Sequence, residues 1–442
     1  MPAFPRDPKL GRTGWTIVGL GVAATLLAPA TTSAAAAGPG SHGPAAKAPG
    51  SSASIGGSAL ADTAGASATA LRMSLPKPTG RYPIGTVALH LVDRSRPDSL
   101  VTSRPYRELM VSVWYPARGA ENLPLAPQMP PLAAADFDQD TASDLGIKPG
   151  EVNWAATRTH ARTGAPVDRR AGALPVVLYS PGLDGPRTLG TVLVEELASR
   201  GYVVVTVDHT YQPDQVEFPG GRVERARLPP VPDKEAFEKL TKVLLATRVE
   251  DMRFVLDRLA RLDRGHNPDE ERAPLPAGLS GALDLSRTGM FGHSFGGATA
   301  AQLTRDDRRV DAGINLDGTL FGPVVRSGLA KPFLQVAGEP TTRESEPTWK
   351  SFWDRSSGWK REVRFTGAQH LSFMDVQAMI PQVAGKLGKV PVAEIIGTID
   401  PERSVTAQRA YVTAFFDLHL RGRHTRLFDG PARRYPEVKL IP

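Results

Sequence analysis

The chain contains no cysteine among its 442 residues. That absence excludes disulfides, thiolate metal sites, a cysteine nucleophile and the thioether lipid anchor of a bacterial lipoprotein. Its amino-terminal apolar stretch, residues 15–28, contains glycines and threonines and falls short of the ~20 residues that a bilayer-spanning helix needs. Nor does one sign of charge dominate: 53 basic against 46 acidic residues leave +7. Arg6, Lys9 and Arg12 against Asp7 place two of those charges in a segment expected to be removed, leaving about +5 for the rest. So small an excess makes no case for nucleic acid, and Arg158, Arg162, Arg169 and Arg170, interrupted by Asp168 and small residues, read as a solvated face. A weak preference for anionic lipid surfaces is compatible with it. Hydrophobic residues at 41% and charged residues at 22% are ordinary globular proportions, which sets aside wholesale disorder, a coiled coil and a polytopic membrane protein.

The first 37 residues carry the three parts of a cleaved secretory signal: Arg6, Lys9 and Arg12, then the uncharged stretch 15–28, then small residues over 30–37. With no paired arginines in this segment, the general secretory route is the simpler reading, and the expected localisation is extracellular. Residues 38–73 are rich in Ala, Gly, Ser and Pro and read as a disordered leader, since they offer too little large apolar surface to offset ordering entropy. The folded domain is expected over residues 74–442. Nothing in the sequence speaks to oligomeric state.

Two alternating apolar and polar runs, 82–92 and 107–115, predict an antiparallel opening. The continuous apolar run 175–180, helical spacing at Leu189, Val192, Leu193 and Leu197, and then the run 202–207 predict a βαβ unit. A long helix is predicted over 237–262, and a strand ending at Gly292 follows it. Further strands are predicted over 310–316, 332–337 and 361–365, with a closing helix over 407–420. Such alternation predicts an α/β fold, a mostly parallel sheet with helices on both faces. Residues 123–170, 211–232 and 264–280 read as surface excursions.

Gly292-His293-Ser294-Phe295-Gly296 fits the G-x-S-x-G elbow between a predicted strand and a predicted helix. Small residues let the chain turn sharply, so that Ser294 projects its hydroxyl above the sheet. A serine hydroxyl attacks only if a base takes its proton. His370, in the loop after the strand 361–365, is the candidate base, while His293 is expected beneath the nucleophile. Two carboxylates compete to orient the base, Asp317 after the strand 310–316 and Glu339 after the next, and spacing leaves that choice open. An oxyanion needs two N–H donors: Phe295, which follows the nucleophile, and Leu183 in the turn Ser180-Pro181-Gly182-Leu183.

These segments, together with Asn315-Leu316-Asp317-Gly318 and Gln369-His370-Leu371-Ser372-Phe373, resemble the plasma and type II platelet-activating-factor acetylhydrolase family, which has the α/β-hydrolase fold. The blocks 201–209 and 397–403 strengthen the likeness, which runs from about Gly80 onward. The resemblance implies Ser294 as nucleophile, Asp317 as acid, His370 as base and the Leu183 and Phe295 amides as oxyanion donors. Pro181 departs from it, since many relatives carry histidine before Gly-Leu. The implied activity is calcium-independent hydrolysis of short acyl groups from phospholipid-like esters, without a cofactor. The alternatives are a secreted lipase or polyester hydrolase and, from another class, a non-catalytic binding protein on the same fold.

Asp136, Asp138 and Asp140 imitate the start of a calcium loop, but Thr141 and Ile147 stand where glycine and glutamate belong, so no metal is assigned. Trp349, Phe352 and Trp353 share helical spacing and read as a core stripe rather than an acyl-chain or interfacial patch.

Overall fold

The structure, a computed structural model, describes residues 70–442; the predicted signal segment and nearly all of the leader lie outside the described residues. The packed unit starts slightly earlier than expected. Leu71 donates to the Glu151 carbonyl at 2.9 Å and Met73 is buried, because apolar side chains interrupt the small-residue composition there.

The chain opens with antiparallel β1 (Ile84–Asp93) and β2 (Arg107–Pro116). After β3 (Leu125–Pro127), α1 (Pro131–Gln139) and β4 (Arg158–Thr163) it enters β5 (Leu174–Ser180), α2 (Thr191–Ser199) and β6 (Val203–Asp208). A small hairpin, β7 (Gln215–Phe218) and β8 (Arg222–Arg225), precedes the long α3 (Lys234–Asp263). Then come β9 (Leu283–His293), α4 (Phe295–Asp306), β10 (Ala312–Leu316), α5 (Val324–Ser327) and β11 (Phe333–Ala337). The last elements are α6 (Pro347–Arg355), β12 (Lys360–Phe365), α7 (Val376–Leu387), α8 (Val392–Ile396), α9 (Pro401–Arg421) and β13 (Val438–Ile441).

Eleven strands form one sheet in the order β13-β12-β11-β10-β9-β5-β6-β2-β1-β4-β3. Its centre, β6 through β12, is parallel, while β2 joins β6 and β13 joins β12 antiparallel. The continuous apolar strands of the centre divide their side chains between two cores, as a period of two requires. Val177, Tyr179 and Val204 meet α2 and α9 through Leu193, Leu197, Tyr411 and Phe415. Val176, Leu178 and Val205 meet α3 and α4 through Met252, Val255, Leu259 and Leu303 on the opposite face.

Residues 123–170 are not the plain surface excursion that their polar and proline content suggests. β4 extends the sheet parallel to β1, and Met129, Phe137 and Trp154 pack with Leu189 and Ile380 in a third core. Its apolar residues are too widely spaced to show a period, so only tertiary packing reveals them. Asp136 pairs with Arg225 at 2.7 Å and Asp138 accepts from the Trp154 indole at 3.1 Å, which assigns both carboxylates to this packing. Trp349 and Phe352 are fully buried, in keeping with a core stripe, whereas Trp353 is half-buried.

Candidate active site

β9 ends and α4 begins at Ser294, whose backbone sits at φ 54° and ψ −123°. A non-glycine residue in that region is strained by about 1–3 kcal/mol and persists only where its surroundings enforce it. Here the Ser294 N–H donates to the Leu316 carbonyl at 2.9 Å, and its carbonyl accepts from Gly297 at 2.8 Å. Gly296 makes the turn possible: a Cβ there would overlap the carbonyl oxygens of Ser180 and Pro181, so the elbow and the end of β5 touch backbone to backbone.

Asp317, at the carboxyl end of β10, also has positive φ, 53°. Its carboxylate accepts from the Gly338 amide at 2.8 Å and from His370 Nδ1 at 2.8 Å. The turn that presents it is clasped on both sides. Asn315 bonds Gly318 through donor and acceptor, at 2.7 and 3.0 Å, and the buried Trp349 indole donates to the Gly318 carbonyl at 2.7 Å. Trp349 thus supports the Asp317 turn as well as the core. Donation from His370 Nδ1 leaves Nε2 as the acceptor nitrogen of the neutral ring.

Glu339, the competing acid, is directed elsewhere: its carboxylate accepts from the Gly367 amide at 2.8 Å and so braces the loop before His370. Thr398 N–H reaches the Gly367 carbonyl at 2.8 Å, and Ser372 Oγ donates to the Ile396 carbonyl at 2.7 Å. The block 397–403 thus has a local task, fastening the histidine loop and then starting α9, where the Asp400 side chain accepts from Arg403 N–H at 2.9 Å. His293 is buried near the elbow as expected, but its ring also supports this loop, with Nε2 bonded to the His370 carbonyl at 3.0 Å.

The sequence-predicted residues therefore gather at adjoining strand ends. His370 and Asp317 are bonded directly, whereas Ser294 Oγ has no hydrogen-bond partner among the described residues. Among the described residues, neither the Leu183 nor the Phe295 N–H donates to a protein acceptor. The turn carrying Leu183 lies against the elbow: a Cβ on Gly182 would sit 3.6 Å from Ser294 Cβ. Leu183, Leu240 and Phe321, all half-buried, join Phe295 and Leu244 in an apolar cluster beside it.

Comparison with known proteins decides the family. The sequence profile of platelet-activating factor acetylhydrolase, isoform II, matches residues 68–426. The chain belongs to this family. It is 29% identical over 403 residues to a "Probable 1-alkyl-2-acetylglycerophosphocholine esterase" of Arthroderma benhamiae, covering 87% of this chain and 97% of that one. It is 25% identical over 279 residues to the platelet-activating factor acetylhydrolase of Bos taurus, covering 60% of each. In structure it is similar to a ferulic acid esterase from Streptomyces cinnamoneus, with a TM-score of 0.69, 37% identity and coverage of 84% and 99%. The fold is that of the α/β hydrolases and the protein is a carboxylic ester hydrolase, which sets aside the reading as a binding protein.

Two further groups of this acetylhydrolase-family chain escaped sequence reasoning. The block 201–209 ends in Asp208, which is ion-paired with the buried Arg187, and His209, whose Nε2 bonds Ser180 Oγ at 2.9 Å. His209 Nδ1 meets Asp251 at 2.9 Å, and Asp251 is gripped by Arg107 at 2.8 and 3.1 Å. Burial foremost, with the Arg248 cation next, pushes His209 down to about 3, so the ring is neutral. The available signal was Arg248 and Asp251 breaking the apolar stripe of α3, since charges on a buried helix face require partners.

Proposed function

We propose that the protein is a serine esterase that removes short acyl groups from lipid-like esters through an acyl-enzyme. The observation that carries this reading is the 2.8 Å bond between His370 Nδ1 and Asp317 beside a serine held at φ 54°. Ser294 Oγ attacks the ester carbonyl carbon while its proton passes to His370 Nε2. The carbonyl oxygen takes up the electron pair and is held by the Leu183 and Phe295 amides. Collapse breaks the ester bond, and the alcohol leaves with the proton from His370. Water, deprotonated by the same imidazole, then cleaves the acyl-Ser294 ester and frees the acid. Asp317 holds the tautomer and stabilises the imidazolium.

A second reading, an aromatic-acid ester as substrate, is favoured by the 37% identity to the ferulic acid esterase over 84% of the chain. The cluster of Leu183, Leu240, Phe295 and Phe321 offers apolar surface to either group. Initial rates on p-nitrophenyl acetate, butyrate and laurate, a 1-alkyl-2-acetyl glycerophosphocholine and methyl ferulate separate the two. We expect acetyl esters, with the phosphocholine lipid among the best, to exceed long-chain esters. A preference for methyl ferulate would move the substrate to the second reading, and a preference for laurate would make the enzyme a lipase. We also propose export by cleavage of the amino-terminal segment, supported by the charge and apolar pattern of residues 1–37. Sequencing the amino terminus of protein recovered from culture medium tests it, and an intact Met1 in that fraction would count against it.

A further inference from the structure

Arg248 is fully buried, and among the described residues its guanidinium has no carboxylate at ion-pair distance. Its hydrogen bonds go to the oxyanion turn instead. Nη1 donates to the Pro181 carbonyl at 2.6 Å and Ser180 Oγ at 3.3 Å. Nη2 donates to the carbonyls of Gly182 at 2.9 Å and Leu183 at 3.2 Å. Nε is held by Gln212 Oε1 at 2.7 Å, and the guanidinium carbon lies 5.0 Å from the centre of the Phe295 ring.

In a trans peptide the carbonyl of one residue and the N–H of the next share a rigid plane and point in opposite directions. Bonding the Gly182 carbonyl therefore fixes the direction of the Leu183 N–H, and bonding the carbonyls on either side removes the remaining freedom of the turn. The same cation contacts the side chain of Phe295, whose N–H is the other donor. Hydrogen bonds accepted by a peptide carbonyl also polarise that unit and strengthen donation from its N–H.

Resting on the reading of Ser294 as nucleophile with Leu183 and Phe295 as oxyanion donors, we infer that Arg248 is a positioning residue of the oxyanion hole, its guanidinium aiming the Leu183 N–H. The arrangement is costly as a purely structural device, because a buried cation without a direct counter-ion is destabilising relative to an apolar side chain. Burial, reinforced by the Arg107 cation and partly offset by Asp251 and Asp184, pushes the Arg248 pKa down to about 9. A planar fork also does here what an ammonium cannot, since it meets several carbonyls in fixed directions.

The test compares wild type, Arg248→Lys, Arg248→Gln and Gln212→Leu. A fluorophosphonate titrates the active sites, and peptide mass mapping locates the label. Each enzyme is then assayed on p-nitrophenyl acetate and against a trifluoromethyl ketone, to which the serine oxygen adds to give a tetrahedral oxyanion. Per titrated site, kcat is expected to fall about 10-fold in Arg248→Lys and about 10²-fold in Arg248→Gln, with KM changed less than about two-fold. Ketone affinity should weaken in step with kcat, a correlation that a merely structural role would not produce. Gln212→Leu keeps the guanidinium but frees its Nε, so it should fall between wild type and Arg248→Gln, and it carries the test if the Arg248 variants do not fold. Unchanged kcat and ketone affinity per titrated site in Arg248→Gln, or in Gln212→Leu where that variant carries the test, would overturn the inference. A label mapped away from Ser294 would instead remove the reading on which it rests.

Discussion

The buried imidazole of His293 donates through Nε2 to the backbone carbonyl of His370 across 3.0 Å, with the two ring centres 4.6 Å apart. Burial foremost, and the His370 ring next, hold the His293 pKa well below the ordinary histidine value, so the ring is neutral. A neutral donor can fasten the loop without adding a positive charge beside the proposed base, His370. His293→Leu, which leaves that carbonyl without its donor, is therefore expected to lower kcat about 10-fold and stability by about 1–3 kcal/mol. His293→Gln, which can still donate, should lose less of both. Steady-state kinetics with urea melts check this, and an unaltered kcat in His293→Leu would refute the role.

The choice of acid gives an asymmetric pair of variants. Asp317→Asn keeps the shape of the turn but presents an amide to His370 Nδ1, so the wrong tautomer is favoured and kcat should drop by about 10³–10⁴-fold. Glu339→Gln retains a carbonyl oxygen able to accept from Gly367 N–H, the bond the carboxylate makes at 2.8 Å. Its loss should stay within about three-fold, as expected when one neutral acceptor replaces a charged one on an exposed loop. The opposite ordering of the two kcat values would move the acid to Glu339.

Much of this site was legible because its residues are local. The glycines around Ser294 encode a turn wherever a strand meets a helix; strands β5, β6, β10 and β11 were visible as short apolar runs close to their structural bounds, and β9 only by its apolar end. What escaped was long-range. Nothing near Glu339 says that it braces Gly367 rather than His370, since that depends on how two strand ends converge. The hairpin β7–β8 and strand β4 lack a strong alternating pattern and take their form from partners far along the chain. Asp251 is 144 residues from its partner Arg107, so only the interruption of the α3 stripe hints that charges meet there.

Trp349 links the core to the Asp317 turn through one bond, from its indole N–H to the Gly318 carbonyl at 2.7 Å. Trp349→Phe keeps most of the apolar volume and removes the donor. Stability should fall by about 1–3 kcal/mol for an unsatisfied buried carbonyl and a small void. Because Gly318 directly follows Asp317, kcat should fall several-fold as well, with KM little changed. Measuring both distinguishes the two effects: a variant that melts earlier yet retains wild-type kcat would confine Trp349 to packing.

Stability toward acid offers a test away from the catalytic groups. His419, in α9, packs against Trp359 and Phe415, and its Nε2 has no hydrogen-bond partner among the described residues; burial lowers its pKa from the ordinary 6.5 to about 4. Between those values the unfolded chain binds a proton that the native ring refuses. The contribution is fully present above pH 6.5 and is lost as the pH falls toward about 4. His419→Leu removes that loss, so relative to wild type the variant should gain about 1 kcal/mol on going from pH 7.5 to pH 5, allowing for partial solvent screening. The acid limb should become shallower without vanishing, because His209 and His293 also resist protonation in the fold. Urea melts of both proteins at the two pH values read the difference directly, and an identical pH dependence would mean that His419 is protonated within the native structure.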